Sequence, residues 1–297
     1  MELNWYYDQE EEMTIKDFLS RQGLPRAFMR DIKYSGQIML NHIPTATRFT
    51  VRKGDHIKLI APIEYGHDSV KPSLEPINIV FEDKDLLILN KPVGVVSIPS
   101  MQNPSSSMAN RVRGYYQQRG YQDQVIHIVT RLDRDTSGLM IIAKHRLAHA
   151  LMDRQVRNQK VYKFYNALSS RIDWEDHGVI EAAIARAEDS LISRRVHETG
   201  KYAKTEFWCL EQFASGSHLR LRLHTGRTHQ IRVHLSYKGG PLIGDDLYGG
   251  PHSSIVNRQA LHCGELRFKH PFTEESLIFK ASLPDDMQEW ITEQQYN

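Results

Sequence analysis

From residue 77 onward the chain is written mostly in strand patterns. INIVF, LLILN, VIHIV, LMIIA and SHLRLRLHT each show the alternating or short continuous apolar character of a β-strand. Few helical patterns interrupt them, such as RLAHALMDRQV and the closing DDMQEWITEQ. This order predicts an α+β fold around a mostly antiparallel, mixed sheet, and it argues against regular βαβ repeats. There is no internal repeat, no low-complexity tract, no Walker loop and no GxGxxG, so nucleotide-cofactor chemistry has no support. The longest apolar run, Leu139 to Ala143, falls far short of the roughly 20 residues of a membrane-spanning helix. The opening MELNWYYDQEEE lacks the basic and apolar segments of a secretory signal, and Cys209 and Cys263 offer no disulfide framework, so a cytoplasmic location is expected. Without a CxxC partner, both cysteines read as buried small hydrophobes.

A net charge of +2 over 297 residues is by itself a poor match for a polyanionic partner, but the sum hides an uneven distribution. Residues 1–13 carry five acids and no base, whereas residues 14–61 carry nine bases and three acids, a net +6. In that basic stretch Thr14, with Asp17 three residues on, reads as a helix start, with Ile15, Phe18 and Leu19 on one face and a stop at Gly23. Pro25 suits the first turn of a second helix, anchored by Phe28 and Ile32 and ended by Gly36. Two strands follow, QIMLN and DHIKLI. Arg26, Arg30 and Lys33 fall at i, i+4 and i+7 on the second helix, a basic stripe that can track phosphates or serve only as a solvated face.

This order of elements resembles the small RNA-binding domain named after ribosomal protein S four. The resemblance implies that Arg26, Arg30 and Lys33 lie on structured RNA. The stretch APIEYGHDSVKPSLEP then has the composition of an extended linker. The expected organisation is an acidic segment (1–13), a small α/β RNA-binding domain (14–61), a linker (62–76) and a catalytic domain (77–297).

Two segments concentrate polar side chains. In TRLDRDTSG (130–138), an extended backbone would point Arg131, Asp133 and Asp135 one way and Arg134 the other, holding carboxylates among cations, as an ionised nucleophile or base requires. The alternative is a turn in which Asp133, Asp135 and Thr136 bond to local backbone. In HTGRTHQIRVHL (224–235), Thr225 can cap a helix that buries Thr228, Ile231 and Leu235 and ends at Gly239 and Gly240. Arg227 would then lie in the first turn, placed to hold a phosphate with the helix N–H groups. His224, His229 and His234 recur every five residues, about 140° apart on a helix, unlike the i, i+4 pair of a zinc site, so no metal is expected.

Taken together, RLDRDTSGL, GRTHQIRVHL and LHCGELRFKHPF resemble the pseudouridine synthases of the RluA type, and the RNA-binding front domain makes the chain RluD-like. NKPVGVVSIPS, KFYNAL, PLIGDDLYG and LPDDM agree with that family. The resemblance implies isomerisation of uridine in RNA to its C-glycoside with no metal or redox cofactor, acting on ribosomal RNA, or on transfer RNA; a monomer is the default expectation, since the sequence leaves the oligomeric state open. It implies that Asp133 is the essential carboxylate, attacking C1′ or removing a proton at C2′. Tyr165 would pack on the uracil and assist loss of the C5 proton, and Arg232 would pair with the carboxylate. Thr130 stands where many members have His, which puts a base contact from this position in doubt. Ser282 stands where Pro is frequent.

Two rival readings make different predictions. A non-catalytic RNA-binding or ribosome-assembly factor on the same scaffold would leave pseudouridine unaltered, and a metal-dependent nuclease built on Asp133, Asp135 and the histidines would cleave RNA and stop with a chelator.

Overall fold

In a computed structural model of the protein, which describes residues 1–66, 70–188, 190 and 192–296, the strand patterns assemble into one ten-stranded sheet behind a smaller front module. The main sheet runs in the order His177–Glu181, Lys204–Phe213, Gly216–Leu223, Tyr162–Ser169, Leu261–Lys269, Ser137–Ala143, Leu86–Lys91 and Ile79–Glu82. Ser276–Lys280 and the short His127–Ile128 pair at its sides. Among the described residues its pairings are antiparallel except one, Ser137–Ala143 beside Leu261–Lys269. The sheet is therefore mixed and mostly antiparallel.

The parallel contact depends on a glycine. Gly138 has φ 114°, and a Cβ there would sit 2.3 Å from the Cys263 carbonyl oxygen, so no other residue fits without parting the strands. The polar turn 131–136 leads directly into this junction, and Tyr165 is paired with Cys263 on the next strand. The junction thus brings distant motifs to one place. The core holds Leu86 to Leu89 and Leu139 to Ile142, consecutive residues buried on both faces of their strands, together with Leu219, Leu221 and the helices Met108–Gln118, Arg146–Arg157 and Gln230–Tyr237. Burying such side chains contributes about 1.5–3 kcal/mol each. Helix Met108–Gln118 was not among the expected patterns; Ser107 starts it through a reciprocal cap with Asn110. Cys263 is buried, while Cys209 is only half-buried, contrary to expectation.

The front module has the helices Ile15–Arg21 and Arg26–Ser35, the first capped by Thr14, which accepts from the Asp17 N–H. Its sheet is not confined to residues 14–61. Glu2–Tyr6 pairs with His56–Ile60 as an edge strand, and Tyr7 and Met13 are buried in the module's core, so the acidic segment is part of the fold. Leu3 and Trp5 alternate with exposed Glu2, Asn4 and Tyr6, a period of two masked by the surrounding charge. The acids also meet the module's bases: Glu2 pairs with Lys58 at 2.7 Å, Glu12 with Arg52 at 3.1 Å, Glu11 with Arg21 at 3.3 Å, and Glu10 with Lys53. Much of the +6 is locally neutralised, and the exposed stripe Arg26, Arg30 and Lys33 lies on another element.

The segment 62–76 has no helix or strand in its described residues; 67–69 lie outside them. It is fastened rather than free. Glu64 accepts from the Arg146 backbone N–H and faces His127 Nε2, both at 2.8 Å, and these partners hold its carboxyl below the usual range although burial works the other way. Asp31 pairs with Arg146, Arg154 donates to the Gly23 carbonyl at 2.8 Å, and Leu147, Leu151 and Phe272 complete the front module's apolar core.

Candidate active site

A cleft of about 810 Å³ opens beside the parallel junction, and Asp133, Tyr165, Arg232, Arg131 and Arg227 all line it. Arg26, Arg30 and Lys33 do not; they remain exposed on the front module.

The segment holding Asp133 is neither fully extended nor a simple turn. Residues 131–133 lack regular structure, and a turn closes at Thr136, whose N–H donates to the Asp133 carbonyl at 3.2 Å. The expected division of faces fails: Arg134 Nε lies 3.0 Å from both oxygens of Asp135, because the turn swings the two together. Three polar groups brace the segment. The Ser97 hydroxyl accepts from the Leu132 N–H at 3.0 Å and donates to its carbonyl at 2.7 Å. Lys91, fully buried, donates to the carbonyls of Pro92, Val95 and Arg134 at 2.7–2.8 Å. Burial pulls its ammonium down to about 7, opposed by Asp135 and Asp133. Thr130 is buried, its hydroxyl accepting from the Ile141 N–H at 3.0 Å, so here this position serves strand pairing.

Arg232 is 7% exposed and is oriented by a residue that sequence reasoning did not single out. Its Nε and Nη2 each lie 2.7 Å from an oxygen of Asp245, which leaves Nη1 directed at Asp133 Oδ2, 3.8 Å away. Burial acts against its charge, but Asp245 and Asp133 outweigh it and raise the guanidinium's pKa.

His229 Nε2 stands 4.0 Å from the same oxygen of Asp133. The Tyr248 hydroxyl accepts from the Arg194 N–H at 2.9 Å and stands 2.8 Å from His229 Nδ1, within hydrogen-bonding distance. When Tyr248 donates in that bond, the ring's own proton lies on Nε2, facing the carboxylate. Burial lowers the pKa of His229, consistent with a neutral ring, with Asp133 opposing. The Tyr248 ring also lies 4.9 Å from the Arg232 guanidinium carbon. Asp245 precedes and Tyr248 ends one short 3-10 turn, Asp246–Tyr248, so a single segment holds both Arg232 and His229 beside Asp133. Only PLIGDDLYG as a whole hinted at these residues, since no local spacing links 245 and 248 to 133.

Tyr248→Phe is therefore expected to lower kcat about tenfold, equivalent to about 1.4 kcal/mol, while KM and Tm stay near wild type. Steady-state kinetics and a thermal melt check this; a fall in Tm with kcat unchanged would reduce Tyr248 to a packing residue.

Tyr165 is 4% exposed, and burial, followed by Cys263 and Asp133, raises its phenol well above the ordinary value. It is a neutral ring in the cleft wall. The Cys263 thiol beside it is pushed up to about 12 by burial and is inert as a nucleophile.

The second motif folds differently from expectation. The helix begins at Gln230, not after Thr225, with His229 at its start in the left-handed region at φ 56°. Gln230 Oε1 accepts from the Thr225 hydroxyl at 2.8 Å and the Arg227 N–H at 3.0 Å, while Nε2 donates to Lys204 and Thr205, both at 3.0 Å. These bonds hold 225–229 as a loop, so Arg227 does not occupy a helical first turn. It is exposed and donates to the Tyr202 carbonyl, and Thr228 is exposed rather than buried. Ile231 and Leu235 pack in the core as expected.

The three histidines of the motif diverge. His224 meets Glu206, His229 meets Tyr248, and His234 lies between Thr205 and the Ala182 carbonyl. Elsewhere Asp83, Asp85 and His270 approach one another. His270 Nδ1 accepts from the Phe272 and Thr273 N–H groups, so its proton resides on Nε2, facing Asp83 at 2.9 Å. A proton there leaves no lone pair for ligation through that nitrogen.

A carboxylate with two oriented N–H donors, an aromatic wall and surrounding arginines suits chemistry on a planar base attached to a polyanion. The comparisons agree. Residues 85–237 match the family model described as RNA pseudouridylate synthase. The chain is 39% identical over 280 residues to an uncharacterized RNA pseudouridine synthase, YjbO, of Bacillus subtilis, covering 94% of this chain and 98% of the relative. It is 36% identical to the ribosomal large subunit pseudouridine synthase D of Haemophilus influenzae, over 84% of this chain and 81% of that one. The solved structure of human RNA pseudouridylate synthase domain containing 4 shares the fold, with a TM-score of 0.61 at 22% identity over 73% of this chain and 93% of that one. The chain belongs to the RluA-type RNA pseudouridine synthases, and it is an isomerase acting on RNA.

Proposed function

We propose that the protein converts one or more uridines of large-subunit ribosomal RNA to pseudouridine, with Asp133 as the essential carboxylate, Arg232 as its partner and Tyr165 as the platform for the uracil. The observation that carries this is the convergence of the three in one cleft, with Arg232 held by Asp245 so that its third nitrogen faces Asp133. The substrate class is that named for the Haemophilus influenzae relative, a ribosomal large subunit pseudouridine synthase. A uridine reaches this cleft only after leaving its stack. The N1–C1′ bond then breaks, either by attack of Asp133 on C1′ or through a glycal formed when Asp133 takes the C2′ proton. The uracil turns and C5 bonds to C1′, as the Asp133–C1′ bond breaks in the first route or as C2′ regains its proton from Asp133 in the second; the C5 proton then leaves while N1 gains one, so the reaction is a balanced isomerisation. The neutral phenol of Tyr165 supports packing and hydrogen bonding to the base rather than a phenolate role.

Arg131 and Arg227 at the cleft, and Arg26, Arg30 and Lys33 on a front module resembling the S four domain, are the proposed phosphate contacts. The enzyme is proposed to work as a cytoplasmic monomer without metal or redox cofactor; among the described residues no helix is long and apolar enough to cross a membrane. Pseudouridine mapping of ribosomal and transfer RNA from a strain lacking the protein tests the reading. A site that vanishes on deletion and returns with the wild-type gene is expected, and an unaltered profile in both RNA classes would exclude it.

Replacing Arg26, Arg30 and Lys33 by Gln together should weaken binding to the RNA so identified and lower the log–log salt slope by about 2, from about 0.7 per phosphate contact. Binding titrations across a salt series read this directly; an unchanged slope removes the stripe from the interface.

A further inference from the structure

The main sheet has a second face, turned away from the cleft. On Tyr162–Ser169, Lys163 and Tyr165 face the cleft, so Phe164 and Asn166 point to the opposite side, while Tyr162, at the strand's start, also borders the cleft. There one residue from each of five neighbouring strands joins a band across the sheet, His177, Trp208 and Arg220 in register and Phe164 and Arg267 reached diagonally. His177 stacks on Trp208 with centroids 5.2 Å apart and planes at 25°, and Trp208 lies 6.5 Å from Phe164. The Arg220 and Arg267 guanidiniums stand 4.4 and 5.1 Å from the Phe164 ring, and Arg222 stands 4.6 Å from the Tyr162 ring.

Cross-strand Arg–Glu pairs alone could solubilise such a face, and Glu265 and Glu206 do pair here. Two features go further. The acids are recessed, with side chains 12% and 18% exposed, whereas Arg220, Arg222 and Arg267 are 36%, 30% and 45% exposed, so the outer layer is cationic. Glu265 is shared by Arg220 and Arg267 and Glu206 pairs with Arg222, so three guanidiniums face two carboxylates and positive charge is left over. A guanidinium seated against a ring is held in place with N–H edges available to phosphate. The face is also continuous with the cleft, because Tyr162, Arg222 and His224 line the cleft rim.

We propose that this face carries the single-stranded RNA adjoining the target uridine, with phosphates on Arg220, Arg222 and Arg267 and a base against the His177–Trp208 pair. Arg220 and Arg222, two residues apart on one strand, are spaced about 6.8 Å along it and can meet successive phosphates. The proposal rests on the pseudouridine synthase reading and adds where the flanking strand runs.

The test uses the full-length protein and fluorescein-labelled oligouridines of about 5 and about 20 nucleotides, lengths chosen to fill the cleft alone or to extend beyond it. Arg220→Gln/Arg267→Gln should weaken the longer probe about tenfold and lower its salt slope by about 1.4, while the shorter probe is unaffected. Trp208→Leu should weaken the longer probe with its slope unchanged. Arg220→Lys/Arg267→Lys, which keeps charge if the Gln pair misfolds, should retain the slope but lose affinity.

Wild-type protein binding both lengths equally, or a Gln pair with intact fold binding the longer probe like wild type, would overturn the proposal. So would a concentration-dependent dimer, seen by sedimentation, that the Gln pair dissociates, since the face would then be covered by a second copy. Deletion mapping is read separately: a lost pseudouridine with no length-dependent binding sinks only this face, and length-dependent binding with an unchanged profile sinks only the catalytic reading.

Discussion

Asp133→Asn protein is expected to make no detectable pseudouridine while binding its RNA within about twofold of wild type. The substitution keeps the shape of the side chain and removes the charge that both proposed routes need. The fold should tolerate it. The Asp133 side chain is 30% exposed, and its neighbour Arg232 keeps two bonds to Asp245, so no buried cation is left unpaired. A stability change within about 1 kcal/mol follows. Pseudouridine quantified in RNA from a deletion strain carrying the variant, alongside binding and a thermal melt of the purified protein, gives all three readouts. Full activity in the variant would remove Asp133 from the chemistry, and lost binding with lost activity would make its role one of RNA contact.

Asp245→Asn should be damaging in a different way. The Asp245 side chain is fully buried and Arg232 nearly so, and removing one partner of such a pair leaves an uncompensated charge, at about 3–5 kcal/mol. Arg232 would then be free to close on Asp133, altering the position of the reacting carboxylate. A misplacement of about 1 Å commonly costs about a hundredfold in rate. We therefore expect lowered Tm together with kcat reduced about a hundredfold. Arg232→Met/Asp245→Leu separates the two effects: it should recover most of the stability, since packed apolar residues substitute well for a buried pair, and none of the activity. Recovery of activity in that double variant would show that the pair serves folding alone.

How much of this was legible beforehand depended on the range of the interactions. The helix start at Thr14, the stop at Gly36 and the packing of Ile231 and Leu235 rest on contacts within a few residues, and local spacing exposed them. Asp133, Tyr165 and Arg232 carry no sufficient local signal; they stood out because whole motifs resembled a family. Where a distant partner controlled the local conformation, spacing misled. Thr225 looked like a helix cap, but the Gln230 side chain claims its hydroxyl and moves the helix start to residue 230. Arg134 and Asp135 should have diverged on an extended strand, yet the turn that places Asp133 brings them together. The acidic start hid an edge strand because its period of two is carried by Leu3 and Trp5 alone.

Composition and periodicity by themselves determined an α+β chain with a mixed, mostly antiparallel sheet, a basic front stretch and two polar segments rich in arginine and carboxylate. Those properties follow from side-chain type and the pitch of the backbone, which a linear string contains. Only the tertiary structure decided that Asp245 and Tyr248 orient Arg232 and His229 toward Asp133, that the linker is fastened through Glu64, and that five strands align rings and guanidiniums across an open face. Each joins residues far apart in the chain. Orientation of a hydrogen bond or a stacked cation depends on distances of a few ångströms, and only the packed sheet brings such residues that close.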